Sequence, residues 1–129
     1  MEIYKTPEFL IVHLKRFSYT RNSYFGSRKL ATFVEFPVVG LDLTSMTITK
    51  GTDENGKPLP LIYDLYAVSN HFGSLGAGHY TAFCKSPVFN KWFDFDDKQV
   101  TPINTSGGDF SKLINKSAYV LFYRLRKNQ

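Results

Sequence analysis

Two short stretches hold the residues best suited to chemistry: Gly76-Ala-Gly-His79-Tyr80 and Trp92-Phe-Asp-Phe-Asp96-Asp97. The first runs out of a glycine-rich loop, His71–Gly78, into a strand that begins at His79. Glycine has no Cβ, so such a loop lets backbone approach a ligand closely. A histidine at that junction can be held by the sheet while facing the open loop. Side chains of a strand alternate between faces, so His79, Thr81 and Phe83 share one face. On the next strand Trp92, Asp94 and Asp96 share one face. A simple antiparallel closure around Ser86–Lys91 pairs Phe83 with Trp92 and His79 with Asp96. Residues directly opposite have Cβ atoms ~4.5–5.5 Å apart, within reach of a carboxylate–imidazole hydrogen bond. A slip of one residue would separate them. In this register Asp97 points to the other face, unless the strand bends there.

A histidine oriented by a carboxylate is the base half of a nucleophilic triad. The one thiol, Cys84, lies five positions after His79 and on the opposite face. At ~3.3 Å per residue it is roughly 16 Å away, too far to be the attacking group for His79. It reads as a small packed side chain. Ser69 and Ser74 do not sit on a nucleophile-elbow pattern. The chain therefore holds a base and its orienter, with no nucleophile for them to activate.

The elements that position these residues are mostly strands. Phe9–Phe17 is an apolar run of strand length, expected to be buried on both faces near its start. Tyr19–Ser27 reads as a loop. Lys29–Phe36 alternates as a strand and stops at Pro37. Val38–Thr49 is weakly stranded, and Gly51–Pro60 is a surface loop by its turn residues. Leu61–Asn70, His79–Lys85 and Trp92–Phe95 are strands, and Ser117–Arg126 closes the chain. Asp109–Asn115 is expected to form one short helix. The whole is an α+β domain, mostly β, with an antiparallel sheet and little helix. Trp92 is expected in the core, and His13 as a packed sheet histidine.

Composition narrows the function. The chain has 129 residues, 43% hydrophobic and 16% aromatic, with 12 Phe and 8 Tyr. That suits one domain, or part of one, rich in strand, and excludes disorder and coiled coil. No apolar run approaches the ~18 residues of a membrane span, so no membrane association is expected. Met1-Glu-Ile-Tyr-Lys leads directly into a strand-like segment, so no signal peptide is expected. A single cysteine allows no intrachain disulfide and no multi-cysteine zinc site, and it suits a reducing compartment. The net charge of +5 raises nucleic-acid binding. The positive residues are scattered, at Lys15/Arg16, Arg28/Lys29, Arg124, Arg126 and Lys127, with no recognition motif, so no nucleic acid is expected. The three histidines and the cysteine are far apart in sequence, so neither metal nor other cofactor is expected.

With these residues in view, the chain resembles the C-terminal half of the catalytic domain of ubiquitin-specific proteases, the ubiquitin carboxyl-terminal hydrolases of peptidase family C19. The resemblance begins at Pro7-Glu-Phe-Leu-Ile-Val-His-Leu-Lys-Arg-Phe17 and continues through Phe33-Val-Glu-Phe-Pro37. It is strongest at Tyr63-Asp-Leu-Tyr-Ala-Val-Ser-Asn-His71, Gly78-His79-Tyr80-Thr-Ala-Phe83 and Trp92-Phe-Asp-Phe-Asp-Asp97, and it closes at Ala118-Tyr-Val-Leu-Phe-Tyr123.

The resemblance implies the palm sheet of a papain-like cysteine protease fold. It also implies a thiol hydrolase of the linkage at ubiquitin's C-terminal glycine. In that reading His79 is the general base, Asp96 orients it and Asp97 supports it. Tyr80, Gly76, Gly78 and His71 bind substrate along the channel for ubiquitin's tail. His71–Gly78 and Pro37–Pro60 match the two blocking loops beside that channel. The partners implied are ubiquitin, ubiquitinated proteins and the N-terminal half of the domain, and the location is intracellular, cytoplasmic or nuclear. The family's cysteine box, its glutamine/aspartate box and its paired Cys-x-x-Cys zinc motifs are not in this sequence, and Ala77 stands where many members have glycine. Residues 1–129 are thus expected to be the C-terminal part of such a domain, inactive alone. The alternatives are a catalytically dead ubiquitin-binding or scaffolding module on the same fold, and an unrelated β-rich binding domain.

Overall fold

The computed structural model describes residues 1–19, 27–74 and 77–127. Its strands are β1 (Phe9–His13), β2 (Phe17–Tyr19), β3 (Ser27–Lys29), β4 (Val39–Asp42), β5 (Ile62–Phe72), β6 (His79–Ser86), β7 (Lys91–Asp96), β8 (Gln99–Ile103) and β9 (Ala118–Leu125). Seven of them form one sheet in the order β1-β9-β5-β6-β7-β8, with β4 also on β5; β2 and β3 pair separately. Every pair is antiparallel. The spine is β5. Its first residues pair with β4, its last six with β6, and β9 runs along its other side. The mostly antiparallel architecture expected from the alternating pattern is therefore present.

One face of the sheet carries the core. Tyr63, Val68, Trp92, Leu113, Leu121 and Tyr123 are each no more than 2% exposed. Fully burying an aliphatic or aromatic side chain of this size stabilises by ~1.5–3 kcal/mol. The two tyrosines keep their hydroxyls satisfied: Tyr123 donates to the Pro37 carbonyl at 2.7 Å and Tyr63 to that of Pro7. Burial pushes the Tyr123 phenol up to about 12.

Four expectations are corrected. Residues 30–37 form no strand. The buried Arg16 guanidinium takes the Leu30 and Thr32 carbonyls, at 3.1 and 2.7 Å, and so withdraws them from any ladder. No helix forms at 109–115. Asp109 captures the Ser111 N–H, and the turns that follow close on the buried Leu113; local side-chain hydrogen bonds of this kind compete with helix. In β1 only Leu10 and Val12 turn inward, while Phe9, Ile11 and His13 are exposed. This strand is a sheet edge, and its second face meets no covering layer among the described residues. Finally, β5 runs two residues further than expected, so His71 belongs to the strand rather than to the loop. The strand β8 was not foreseen. Pro102 lies within it, which an edge strand tolerates.

The loop expected at Tyr19–Ser27 falls largely outside the described residues, and so does Gly76.

Candidate active site

His79 opens β6 at the end of the sheet where β5 finishes and β7 finishes, so three strand ends meet there. Its Nε2 lies 2.7 Å from Asp96 Oδ1, and both side chains are about half exposed, at 49% and 48%. The contact is made by a different register from the one expected. Phe83 pairs with Asp94 and Lys85 with Trp92, two residues away from the simple closure. The cause is the turn. Asn90 adopts φ 54°, its N–H donates to the Ser86 carbonyl at 2.8 Å, and Ser86 is thereby set opposite Lys91. Asparagine is among the few residues that take this left-handed backbone readily. A shift of two preserves the side-chain parity, so Asp96 stays on the His79 face and reaches it diagonally. Diagonal neighbours, ~7–8 Å apart at the backbone, remain within reach of long side chains.

Asp97 is also placed differently. The chain turns back at Asp97–Lys98, with Asp97 at φ 51°, so that Asp96 pairs with Gln99. That turn brings the Asp97 carboxylate round to His79: one ligand atom from each of His79, Asp96 and Asp97 lies within 4.8 Å of the others. Asp97 is therefore not on the far side of the sheet. The His79 imidazole is held above its ordinary value, first by the Asp96 hydrogen bond and further by the charges of Asp96 and Asp97. A hydrogen bond from the charged form and nearby negative charge both favour the imidazolium. Asp94 shares the face, but one carboxylate oxygen is buried without a hydrogen-bond partner among the described residues, and burial raises its pKa. Its carboxylate makes no hydrogen bond to His79 among the described residues; the contact to His79 is made by Asp96.

An imidazole and two carboxylates could also bind a divalent cation. The same convergence is what a base and its orienter need, so the geometry alone does not call for a metal.

Cys84 pairs with Ala67 and Phe93 on the other face, is partly buried, and burial raises its thiol pKa. A raised pKa and the wrong face both disfavour it as a nucleophile. Tyr80 is 58% exposed beside the loop. Gly78 is exposed, and His71 lies beneath the loop, 3% exposed, its ring 4.8 Å from that of Tyr80. His13 is exposed and packs edge-on against Tyr119 at 4.7 Å, away from the site.

Two cations that the sequence did not single out hold this end of the sheet. Arg16 donates to the Ala118 carbonyl at 2.5 Å, and Lys29 donates to the His71 carbonyl at 2.8 Å. Burial lowers the pKa of both. The one sequence signal was the position of Arg16 near the end of the apolar run Phe9–Phe17.

A family model described as ubiquitin carboxyl-terminal hydrolase matches residues 1–123. Ubiquitin carboxyl-terminal hydrolase 10 of Arabidopsis thaliana is 46% identical over 124 residues, which is 96% of this chain and 12% of that protein. Ubiquitin carboxyl-terminal hydrolase 4 of Pongo abelii is 41% identical over 128 residues, 99% of this chain and again 12% of the relative. The chain thus spans about an eighth of the length of these relatives. Among solved structures, the SAGA Ubp8/Sgf11/Sus1/Sgf73 DUB module bound to ubiquitin aldehyde superposes with a TM-score of 0.78 at 37% identity, covering 99% of this chain and 26% of the matched one. A monoubiquitin-bound form of that module gives 0.77 at 34% identity, covering 99% and 25%.

Proposed function

Because the chain belongs to the ubiquitin carboxyl-terminal hydrolase family, we propose that residues 1–129 are the histidine-bearing, C-terminal part of a thiol-dependent deubiquitinase domain. The observation that carries this is the 2.7 Å His79–Asp96 contact at the mouth of the glycine loop. The nucleophile is a cysteine thiol supplied from outside these residues. His79 takes its proton, and the thiolate attacks the carbonyl carbon of ubiquitin's C-terminal glycine. The C–N bond to the conjugated amine then breaks as His79 returns the proton to the leaving nitrogen. Water, deprotonated by His79, hydrolyses the thioester and restores the thiol. Asp96 holds the imidazole in the working tautomer and orientation, and Asp97 adds negative charge that stabilises the imidazolium. Tyr80 and Gly78 line the path of ubiquitin's tail, and His71 supports that wall from beneath.

The partners are ubiquitin, ubiquitinated proteins and the thiol-bearing part of the same domain. That two matched structures hold ubiquitin aldehyde and monoubiquitin supports ubiquitin as the ligand. The activity belongs inside the cell, in cytoplasm or nucleus, where a thiol stays reduced. No helix among the described residues is long and apolar enough to cross a membrane.

The test is turnover of a fluorogenic amide of ubiquitin's C-terminus. The 129-residue chain alone should give none, and a domain completed with the thiol-bearing segment should turn over and lose that activity in His79→Ala. Turnover by the chain alone that disappears in Cys84→Ala would overturn the proposal. Ubiquitin binding by the completed domain without turnover would replace it with a non-catalytic binding module.

A further inference from the structure

We infer that His71 is a positioning residue: its imidazole forms the seat on which Gly78 rests, and so fixes the backbone from which His79 reaches Asp96. This rests on the reading of His79 as the base and adds how its geometry is held.

The register brings the two histidines to one place on opposite faces. His71 pairs with Tyr80 and Phe72 with His79, the last two rungs between β5 and β6. Alternation puts His71 on the sheet's second face, where Phe9, Ile11, Phe95 and Val100 are exposed. His71 is nevertheless buried. The rings of Tyr80, Phe17 and Tyr119 stand 4.8, 5.5 and 5.9 Å from its own. The remaining side is closed by Gly78. A Cβ at Gly78 would lie 2.0 Å from His71 Nε2 and 2.8 Å from the Phe72 carbonyl oxygen. The glycine backbone therefore lies flat against the imidazole edge, and the next residue is His79.

The seat is itself clamped. The His71 N–H donates to the Ser117 carbonyl at 2.8 Å, and the His71 carbonyl accepts from Lys29 Nζ at 2.8 Å. Its Nδ1 is buried with no hydrogen-bond partner among the described residues. Leaving a buried polar atom unsatisfied is unfavourable, so no hydrogen bond among the described residues accounts for a histidine here. Shape does: a phenylalanine ring would extend further toward Gly78, and an aliphatic side chain has no flat edge for it. Burial, and secondarily Lys29, keep the His71 pKa below its ordinary value, so the ring acts neutral, by its form rather than by a proton.

Glutamine and asparagine separate the two nitrogens, because a glutamine amide can occupy the Nε2 position and an asparagine amide that of Nδ1. In the completed domain, His71→Ala should lower kcat by roughly 10- to 100-fold, with KM changed less than about threefold, since a displacement of ~1 Å at a reacting group costs on that order. The His79 imidazole, titrated by NMR, should fall toward its ordinary value as its bond to Asp96 loosens; Asp96 and Asp97 are the charged groups that raise it. His71→Gln should keep kcat and the His79 titration near the parent, and His71→Asn should behave like His71→Ala. Thermal melts accompany each variant. If His71→Ala does not fold, the comparison of Gln with Asn decides. Parent-like kcat in His71→Ala, loss of kcat with an unmoved His79 titration, or better rescue by Asn than by Gln would each overturn the inference. Full turnover in His79→Ala would instead overturn the reading beneath it.

Discussion

Substitution of Gly78 by alanine perturbs the site by one methyl group whose surroundings are known. The added Cβ would meet His71 Nε2 at 2.0 Å, Cε1 at 2.8 Å and the Phe72 carbonyl oxygen at 2.8 Å, whereas ordinary contact begins at 3.4 Å. About 1.4 Å must be found on the imidazole side. The imidazole has little room to retreat, with aromatic rings around it and both backbone groups of His71 engaged. The Phe72 oxygen belongs to the last rung of the β5–β6 ladder and cannot yield without opening it. The glycine strip must therefore lift by about 1 Å, carrying His79 with it. A hydrogen bond of 2.7 Å lengthened that far leaves the useful range. Overpacking of this kind costs ~1–3 kcal/mol in stability. With His79 as the proposed base, that displacement costs on the order of 100-fold in kcat. The assay is kcat and KM on a ubiquitin C-terminal amide in the completed domain, with urea unfolding in parallel. Gly78→Ala with parent-like kcat and stability would refute the close approach on which the reasoning depends.

Further predictions test the rest of the site and its support. Asp96→Ala should bring the His79 titration down toward the ordinary value of 6.5, measured by NMR; because the folded value is raised, the stabilisation from this pair is complete below that pH and is lost as pH rises through the folded value. Asp96→Asn should reduce kcat less than Asp96→Ala, since an amide still orients the ring; equal losses would mean that charge, not orientation, is what Asp96 supplies. Asp97→Asn should lower the His79 titration slightly and kcat by a few-fold, no more than roughly tenfold, as expected of a charge nearby that makes no direct hydrogen bond; no effect at all would show that its carboxylate does not face His79. Arg16→Ala should destabilise the chain by ~2–4 kcal/mol in urea unfolding, since one buried cation serves three carbonyls. The isolated chain should self-associate or bind the rest of its domain, because β1 and β8 are open edges and the second face exposes Phe9, Ile11 and Val100; a strictly monomeric, well-folded species in light scattering would contradict this.

The alternation of residue types along 79–86 and 91–96 determined which side chains share a face. His79 with Asp96, Cys84 turned away from both, and Trp92 in the core all follow from a period of two that each strand carries within itself. The family was legible as well, from motifs spread along nearly the whole chain, and the family model matches residues 1–123. Register was a different matter. It is set by how a turn closes, and the left-handed Asn90 moved the pairing by two without disturbing parity. A second left-handed residue, Asp97, carried its own carboxylate round to the histidine, which no strand pattern could have shown. Burial depended on segments distant in sequence. His71 is covered by Phe17 from one end of the chain and Tyr119 from the other, and Arg16 reaches 102 residues along to Ala118. The local pattern of a strand records which way its side chains point, while what lies above them is decided only when the rest of the chain folds over.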